Sequence, residues 1–456
     1  MLNLFQQPGE PNLRCDQGVL DPDMHVGTEQ FHEGIGSLDL LRALRSSRQK
    51  RRPLSLNVQV PGNLRASFPV PDSSDHRPGE RGTVERYLQC LEHEIDIVAC
   101  HLGAGQRVEQ FHLGGATLAI AHLRRLMSHL RGRFNFPGHE CVDCSIDVDL
   151  NTTDWSTMGV LRDLGFKHVS IGIPDREGDS AGSLARCQDP APIESLIDAA
   201  RTFGYRSVNV DLGFGRAWQT PESFALKLAT LIELEPDRLL VFDYARPPQR
   251  YRSLNRDNAV ALCAEDDKAA MRQSCFDQLI GAGYHYIGLG QFVRADDDLA
   301  IAQERGRLRR TCEGFTRHGY CDQIGFGVAA ISQIDELYTQ NSAELERYSR
   351  QLQRDQLPTH RGWRCEAGHQ VRQRVMERLA CDLELDIQAI ETRYGMNFRQ
   401  YFSSAWPVLE QLNRDGLIEL SERFICILPV GRPQVDAICN LFKQANGEAL
   451  HSVHGG

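Results

Sequence analysis

The stretch PLSLNVQVPGNLRASFPVPDSS, residues 53–74, holds the first strand of the chain and the loop that follows it. Apolar and polar residues alternate from Leu54 to Val60, which is the period of a strand with one buried face. Pro61 and the glycine after it then end the strand. The loop contains no cysteine, although the chain has fourteen. In α/β barrels the loop after a strand is where ligand-binding and catalytic groups lie.

Strand patterns alternate with helical patterns from residue 53 to about 335. The predicted strands are 54–60, 108–113, 144–150, 168–173, 206–212, 238–244, 285–289 and one near 324–331. The predicted helices are 81–102, 118–132, 154–164, 192–203, 221–234 and 266–282. Strands that alternate with such helices indicate βα units and a parallel sheet. Without a dinucleotide-binding fingerprint, they favour an α/β class with a complete or partial (β/α) barrel.

Three segments follow from this pattern: an N-terminal arm at 1–52, the barrel at 53–335, and a mostly helical domain at 336–456. Helical patterns dominate the last segment, with a short strand pair predicted at 417–420 and 424–428. A strand pair beside helices also occurs in winged-helix DNA-binding domains. The net charge of −10 argues against that alternative, because nucleic-acid binding requires excess Lys and Arg.

Composition places the chain among soluble globular proteins, with 41% hydrophobic and 25% charged residues. No apolar run reaches the roughly 20 residues of a membrane helix, and the N-terminus lacks the pattern of a secretory signal. We therefore expect no nucleic-acid partner, no membrane partner and a cytoplasmic location. The cysteines are scattered, and the only C-x-x-C, Cys141 to Cys144, has no second ligand pair to complete a zinc site.

Glycines and carboxylates end several predicted strands. Gly114 and Gly115 end the second, where they form a tight turn or let a ligand approach the backbone. Asp147, Asp211 and Asp243 end three others, and an inward carboxylate is costly unless it is hydrogen-bonded or binds a ligand. We expect these carboxylates to share one small-molecule site.

Two arginines lie beside aromatic residues after the sixth predicted strand. Arg246 and Arg250 neighbour Tyr244 and Tyr251 in the sequence. Arginine pairs with carboxylates through two hydrogen bonds and stacks on rings, so this pattern suits a flat ligand that bears carboxylates. A solvated loop is the alternative.

Eight segments together resemble a known family. They are Arg52–Leu56, His112–Thr117, Ser145–Asp149, Val169–Gly172, Asn209–Leu212, Val241–Ala245, Phe292–Asp297 and Gly325–Ser332. In order and spacing, from about residue 50 to about 445, they resemble the oxygen-independent coproporphyrinogen III oxidases of the radical S-adenosylmethionine superfamily. The resemblance implies an incomplete (β/α) barrel of that superfamily's type, followed by the family's helical C-terminal domain.

In that family, the loop after the first strand has the motif C-x-x-x-C-x-x-C, whose thiolates hold a 4Fe–4S cluster. Here the matching positions are Asn63, Ser67 and Val70, and none of them can supply a thiolate. The aromatic residue that precedes the loop in the family is Asn57. We therefore expect a divergent member that has no 4Fe–4S cluster and no metal site.

At other positions the chain either differs from the family's residue or keeps it. The chain has Ala116 and Leu118 for the family's glycine and proline, Asp147 for its glutamate, Pro174 for its glutamine and Gly290-Gln291 for its Asp-His. The resemblance nevertheless implies an S-adenosylmethionine-like pocket lined by Gly115, Ala116, Thr117, Asp147, Arg186, Asp211, Ala245 and Ile331. Whether S-adenosylmethionine itself still binds stays open.

Three functional interpretations follow. The favoured one is a cluster-less homologue, a pseudoenzyme linked to heme and porphyrin biosynthesis that binds a tetrapyrrole (coproporphyrinogen, porphyrin or heme) or an S-adenosylmethionine-like ligand without radical chemistry. The second is an active coproporphyrinogen III dehydrogenase, which decarboxylates its substrate oxidatively to protoporphyrinogen IX. The third is a protein-interaction module that regulates an active paralogue.

Overall fold

The computed structural model describes residues 30–61, 78–103, 105–138, 141–173, 191–248, 251, 261–311 and 314–443. These residues belong to two compact units, which divide between Glu366 and Ala367. The first unit contains the described residues up to Glu366, and the second begins at Ala367.

A sheet of twelve strands forms the centre of the first unit. In chain order, the strands of this unit are β1 Leu54–Val60, β2 Val108–Gly115, β3 Asp143–Asp149, β4 His168–Gly172, β5 Ser207–Phe214, β6 Arg238–Asp243, β7 His285–Gly288, β8 Gln291–Val293, β9 Arg309–Thr311, β10 Gly314–Thr316, β11 Asp322–Phe326, β12 Ile331–Ile334, β13 Leu337–Asn341 and β14 Thr359–Arg364. The order across the sheet is β14-β13-β12-β11-β1-β2-β3-β4-β5-β6-β8-β7, while β9 and β10 form a separate pair.

Seven neighbouring strands, β11 and β1 to β6, run parallel. Antiparallel strands flank them: β12 to β14 on one side, and β8 with β7 on the other. The sheet order ends at β14 and β7, so among the described strands the sheet is open. This is the incomplete (β/α) barrel that the sequence predicts.

Nine helices accompany the strands in the described part of this unit. They are α1 Ser37–Lys50, α2 Pro78–Leu102, α3 Ile120–Arg133, α4 Trp155–Asp163, α5 Ala191–Thr202, α6 Pro221–Glu233, α7 Glu265–Gly281, α8 Asp298–Glu304 and α9 Leu345–Leu352. Polar caps fix several of their starts. Asp154 accepts the Thr157 N–H before α4, and Thr220 forms a reciprocal cap with Ser223 before α6.

The parallel strands β1 to β5 each have one apolar face and one polar face. The apolar set is buried and includes Leu56, Val58, Phe111, Leu113, Ile146, Val148, Val169, Ile171, Val210 and Leu212. Phe111 packs against Phe136 and Phe166, which lie outside the sheet. This face is therefore the outer one, and the residues between belong to the inner face of the barrel.

The division between the units falls at residue 366 and not near 335, because two more strands extend the sheet. β13 pairs with β12 in a hairpin whose turn contains Asp335. Asp335 accepts hydrogen bonds from Lys50 and Arg52, at 2.7 and 2.5 Å. The basic run that ends at Arg52 thus ties α1 to the sheet.

The second unit is mostly helical. Its elements are α10 Ala367–Asp382, β15 Glu384–Asp386, α11 Ile387–Tyr394, α12 Phe398–Tyr401, α13 Trp406–Arg414, β16 Ile418–Leu420, β17 Phe424–Ile427, a 3-10 helix Pro429–Gln434 and α14 Val435–Asn440. The rings of Phe398, Phe402 and Phe442 pack together in its core. The predicted strand pair is present, and β15 adds a third strand to it.

Within the described ranges, none of the helices combines the length and apolarity that spanning a bilayer requires.

Candidate functional site

The inner face of the barrel is lined by polar side chains. Strand register aligns Asn57 of β1 with His112 of β2, and His112 with Ser145 of β3. The same register aligns Asp147 with Ser170, and Ser170 with Asn209. Polar residues at alternate positions therefore form a continuous row across five parallel strands, opposite the apolar outer face.

On β1 to β3, this row is an amide, imidazole and carboxylate network. Gln59 Nε2 donates to Asn57 Oδ1 at 3.1 Å. His112 Nδ1 lies 2.9 Å from Ser145 Oγ, and its Nε2 lies 3.7 Å from Asp147 Oδ2. Asn57 Nδ2 is buried and has no hydrogen-bond partner among the described residues. An amide donor is thus available toward the barrel interior.

On β4 and β5, the row centres on Asp211, which is 2% exposed. Asn209 Nδ2 donates to Asp211 Oδ1 at 2.6 Å and to Ser170 Oγ at 2.8 Å. The Tyr251 hydroxyl donates to Asp211 Oδ2. The buried carboxylate therefore has a donor on each oxygen, which offsets the cost of removing it from water.

Three aromatic rings lie next to Asp211 at the carboxyl ends of β5 and β6. The rings of Phe242 and Tyr251 stack with centroids 4.7 Å apart and an interplanar angle of 17°. Tyr244 meets Phe242 edge to face at 5.1 Å. Phe242 and Tyr244 are each 5% exposed, whereas Tyr251 is half-buried. We call Tyr251, Phe242 and Tyr244 the aromatic surface.

The turn after β2 closes the ends of neighbouring strands. Gly115 has a φ of +93°, and a Cβ there would lie 2.0 Å from the carbonyl oxygen of Val60. The Ala116 N–H donates to that oxygen at 2.9 Å, and Thr117 Oγ1 accepts the Asp149 N–H at 3.0 Å. The backbone of this turn therefore packs directly against the end of β1.

Gly115→Ala is expected to lower the free energy of unfolding by about 1–3 kcal/mol from backbone strain, with the clash against Val60 added to it. Urea denaturation measures the change. Gly132→Ala in α3 is the matched control, because a Cβ there meets nothing within 4 Å and alanine favours a helix. Equal stability of Gly115→Ala and the wild type would contradict the prediction.

The segment between β11 and β12 also reaches the end of β1. A Cβ at Gly327 would lie 2.4 Å from the carbonyl oxygen of Gln59. The Gly327 N–H donates to Glu94 Oε2 at 2.8 Å. Asn341 and Tyr348 donate to the same carboxyl group at 2.6 Å each. Burial raises the pKa of Glu94 to about 7. Glu94 could not be found from sequence, because its only signal is an acidic residue on a buried face of α2.

The opposite end of the barrel contains a charged cluster. Asp143, at the start of β3, accepts hydrogen bonds from Arg317 at 2.6 Å and from His318 at 2.6 Å. Burial would raise the pKa of Asp143, but the His318 and Arg317 contacts outweigh it and hold that pKa well below its usual range. Because the Asp143 carboxylate already has its partners, this end of the barrel suits a structural role. The carboxyl ends of the strands are therefore the candidate site.

The structure groups some of the predicted site residues and separates others. Asp147 and Asp211 face the barrel interior on β3 and β5, with Ser170 of β4 between them. Asp243 does not join them, because it aligns with Phe214 on the other face and accepts the Ala245 N–H at 2.8 Å.

The remaining predicted residues differ in their positions. Ala245 is exposed in the turn after β6. Ile331 is buried in an apolar cluster with Phe31, Tyr338 and Trp363, so its side chain does not line the polar interior. Arg186, Pro174, Arg250 and the three cluster-loop positions Asn63, Ser67 and Val70 lie outside the described residues.

Known proteins are similar to this chain over most of its length. Residues 367–433 match the family model described as the HemN C-terminal domain. The chain is 44% identical to the oxygen-independent coproporphyrinogen III oxidase of Pseudomonas aeruginosa, over 91% of this chain and 90% of that protein. It is 34% identical to the oxidase of Escherichia coli of the same name, over 91% and 90%.

A solved structure supports the same assignment. Coproporphyrinogen III oxidase from Escherichia coli, described as a radical SAM enzyme, superposes with a TM-score of 0.79 at 34% identity. The match covers 92% of this chain and 96% of that one. With the barrel, the helical unit and the sequence relationship in agreement, this chain belongs to the oxygen-independent coproporphyrinogen III oxidase family.

Proposed function

We propose that this chain is a cluster-less member of its family, which binds a tetrapyrrole and carries out no radical chemistry. The observation that carries the proposal is the absence of cysteine from residues 16–89, a range that includes the loop after β1. A 4Fe–4S cluster requires thiolate ligands, and Asn63, Ser67 and Val70 offer none.

The described thiols do not fit a cluster at the candidate site. Cys141 and Cys144 lie at the start of β3, at the opposite end of the barrel from the carboxyl end of β1. Cys144 is buried on the outer face, and burial raises the pKa of its thiol to about 12. Cys263 lies near the carboxyl end of β5, where its main-chain N–H donates to the Gly215 carbonyl oxygen.

The polar contacts at the site also affect whether S-adenosylmethionine could bind there. Asp211, which a ligand hydroxyl would need to reach, is 2% exposed and already accepts the Tyr251 hydroxyl. The half-buried Tyr251 ring of the aromatic surface, by contrast, is one on which a flat macrocycle can stack. These contacts favour a tetrapyrrole over a nucleoside ligand and give the chain a role in binding or transferring porphyrins, alone or beside an active paralogue.

The test uses the anaerobically purified protein before and after incubation with iron and sulfide. We expect no 4Fe–4S absorbance, no 5′-deoxyadenosine from S-adenosylmethionine, and saturable binding of coproporphyrin III in an absorbance titration. The Pseudomonas aeruginosa relative, treated identically, is the control. A cluster spectrum together with 5′-deoxyadenosine would support the active dehydrogenase instead. Absence of any porphyrin binding would leave the protein-interaction module.

A further inference from the structure

Arg216 is a buried cation near the candidate site. It lies two residues beyond β5 and is 5% exposed. Its guanidinium carbon is 3.8 Å from the centroid of the Tyr244 ring and 5.7 Å from that of Trp218. Its Nε is buried and has no hydrogen-bond partner among the described residues. A buried guanidinium normally requires an anion, since a cation–π contact offsets only part of its desolvation cost.

The position of Tyr244 places Arg216 beside the barrel interior. A Cβ at Gly213 would lie 2.3 Å from the Tyr244 ring, so the ring covers Gly213. Gly213 is two residues from Asp211 on β5 and therefore faces the same side of the sheet. Arg216 thus extends the aromatic surface at the carboxyl ends of β5 and β6.

The neighbouring carboxylates are already held by other donors. Asp211 accepts from Asn209, and Asp243 accepts from the Ala245 N–H. Glu265 accepts from Lys268 at 2.7 Å. The backbone at Arg216 is itself fixed, because its main-chain N–H donates to Gln219 Oε1 at 3.0 Å. The local structure therefore anchors the backbone that carries the cation, while the surrounding carboxylates serve other groups.

We propose that Arg216 binds a side-chain carboxylate of the tetrapyrrole, whose macrocycle lies on the aromatic surface. The inference rests on the proposed function and adds a specificity-determining residue to it. A guanidinium donates two parallel N–H bonds to a carboxylate, and the Tyr244 ring packs against the guanidinium at 3.8 Å. Coproporphyrin combines a flat apolar ring with propionate groups at its edge, which matches this arrangement of rings and cation.

The test compares coproporphyrin III with its neutral tetramethyl ester in fluorescence titrations. Arg216→Met is expected to weaken binding of the acid by about 10- to 100-fold, because a hydrogen-bonded charge pair is lost. Binding of the ester should be the same for the variant and the wild type. Arg216→Lys keeps the charge without the two-pronged geometry, so we expect a smaller loss with the acid and none with the ester. Arg354→Met, at an exposed arginine after α9, should bind both porphyrins like the wild type.

The outcomes separate this inference from the proposed function. If the wild type binds the acid and Arg216→Met binds it equally well, the inference fails and the proposed function stands. If Arg216→Met and Arg216→Lys weaken the acid and the ester alike, Arg216 has only a structural role and the inference also fails. If the wild type binds neither porphyrin, both proposals fail. Should Arg216→Met not fold, the Arg216→Lys comparison between acid and ester decides.

Discussion

Glu94→Ala is expected to lower the free energy of unfolding by about 3–5 kcal/mol, because it leaves buried donors without an acceptor at about 1–3 kcal/mol each. The Gly327 N–H and the Tyr348 hydroxyl lose their acceptor, and Asn341 Nδ2 keeps only its bond to the Gly327 carbonyl oxygen. They belong to the β11–β12 segment, to β13 and to α9. Removing the carboxyl group should therefore loosen the contact of the β11–β12 segment with the end of β1. Chemical denaturation monitored by circular dichroism measures the loss.

The same carboxyl group should make stability depend on pH. Burial raises the pKa of Glu94 from 4.5 to about 7, so between these values the folded state keeps a proton that the unfolded state has released. Its contribution is therefore full below pH 4.5 and declines as the pH rises toward 7, by about 3 kcal/mol in total. Tyr87, Tyr348 and Cys90 also lie near Glu94, and burial raises the pKa of each, so they stay neutral in this range.

Glu94→Gln isolates this effect, because glutamine keeps the shape of the side chain and does not titrate. Between pH 4.5 and 7, the free energy of unfolding should depend less steeply on pH in this variant than in the wild type. The difference corresponds to the one titrating carboxyl group that has been removed. Glu346→Gln, at an exposed position on α9, should keep the wild-type slope. An unchanged slope in Glu94→Gln would show that the carboxyl group titrates normally.

Most of the parallel strands could be predicted from sequence because apolar and polar residues alternate along them. Leu54–Val60 has the predicted bounds, since its apolar positions alternate without interruption before a Pro-Gly break. The strands β13 and β14 could not be predicted in this way. Leu337–Asn341 is buried at every position, and Thr359–Arg364 is interrupted by a glycine, so neither has the alternating pattern.

The candidate site was predictable where strand periodicity alone decides which way a side chain points. Asp147 and Asp211 face inward for that reason. Asp243 was assigned to the same group, but Leu240 aligns with Asp211, which puts Asp243 on the other face of β6. Periodicity within one strand cannot give the register between two strands. Arg216 and Glu94 were missed because their roles depend on tertiary contacts between distant segments.

Restoring the thiolates with Asn63→Cys, Ser67→Cys and Val70→Cys together is expected to allow a 4Fe–4S cluster to form on reconstitution. Oxidation of coproporphyrinogen III should nevertheless stay at least about 100-fold below that of the Pseudomonas aeruginosa relative, because a displacement of about 1 Å at a reacting group costs roughly this factor. Anaerobic conversion followed by porphyrin fluorescence measures the rate. The double variant Asn63→Cys/Ser67→Cys is the control, since it lacks the third thiolate.

The reason for low turnover lies in the residues around the loop. Asn57 occupies the position of the family's aromatic residue, and its amide points toward the barrel interior with a buried Nδ2. Ala116 stands for a family glycine in the turn against Val60, and Pro174 offers neither the side-chain amide of the family's glutamine nor a backbone N–H. Asp211 already accepts from Tyr251. Each of these features would shift or exclude a ligand that the restored cluster requires. Turnover equal to that of the relative would therefore mean that only the thiolates had been lost, whereas failure to form any cluster would mean that the loop itself had diverged.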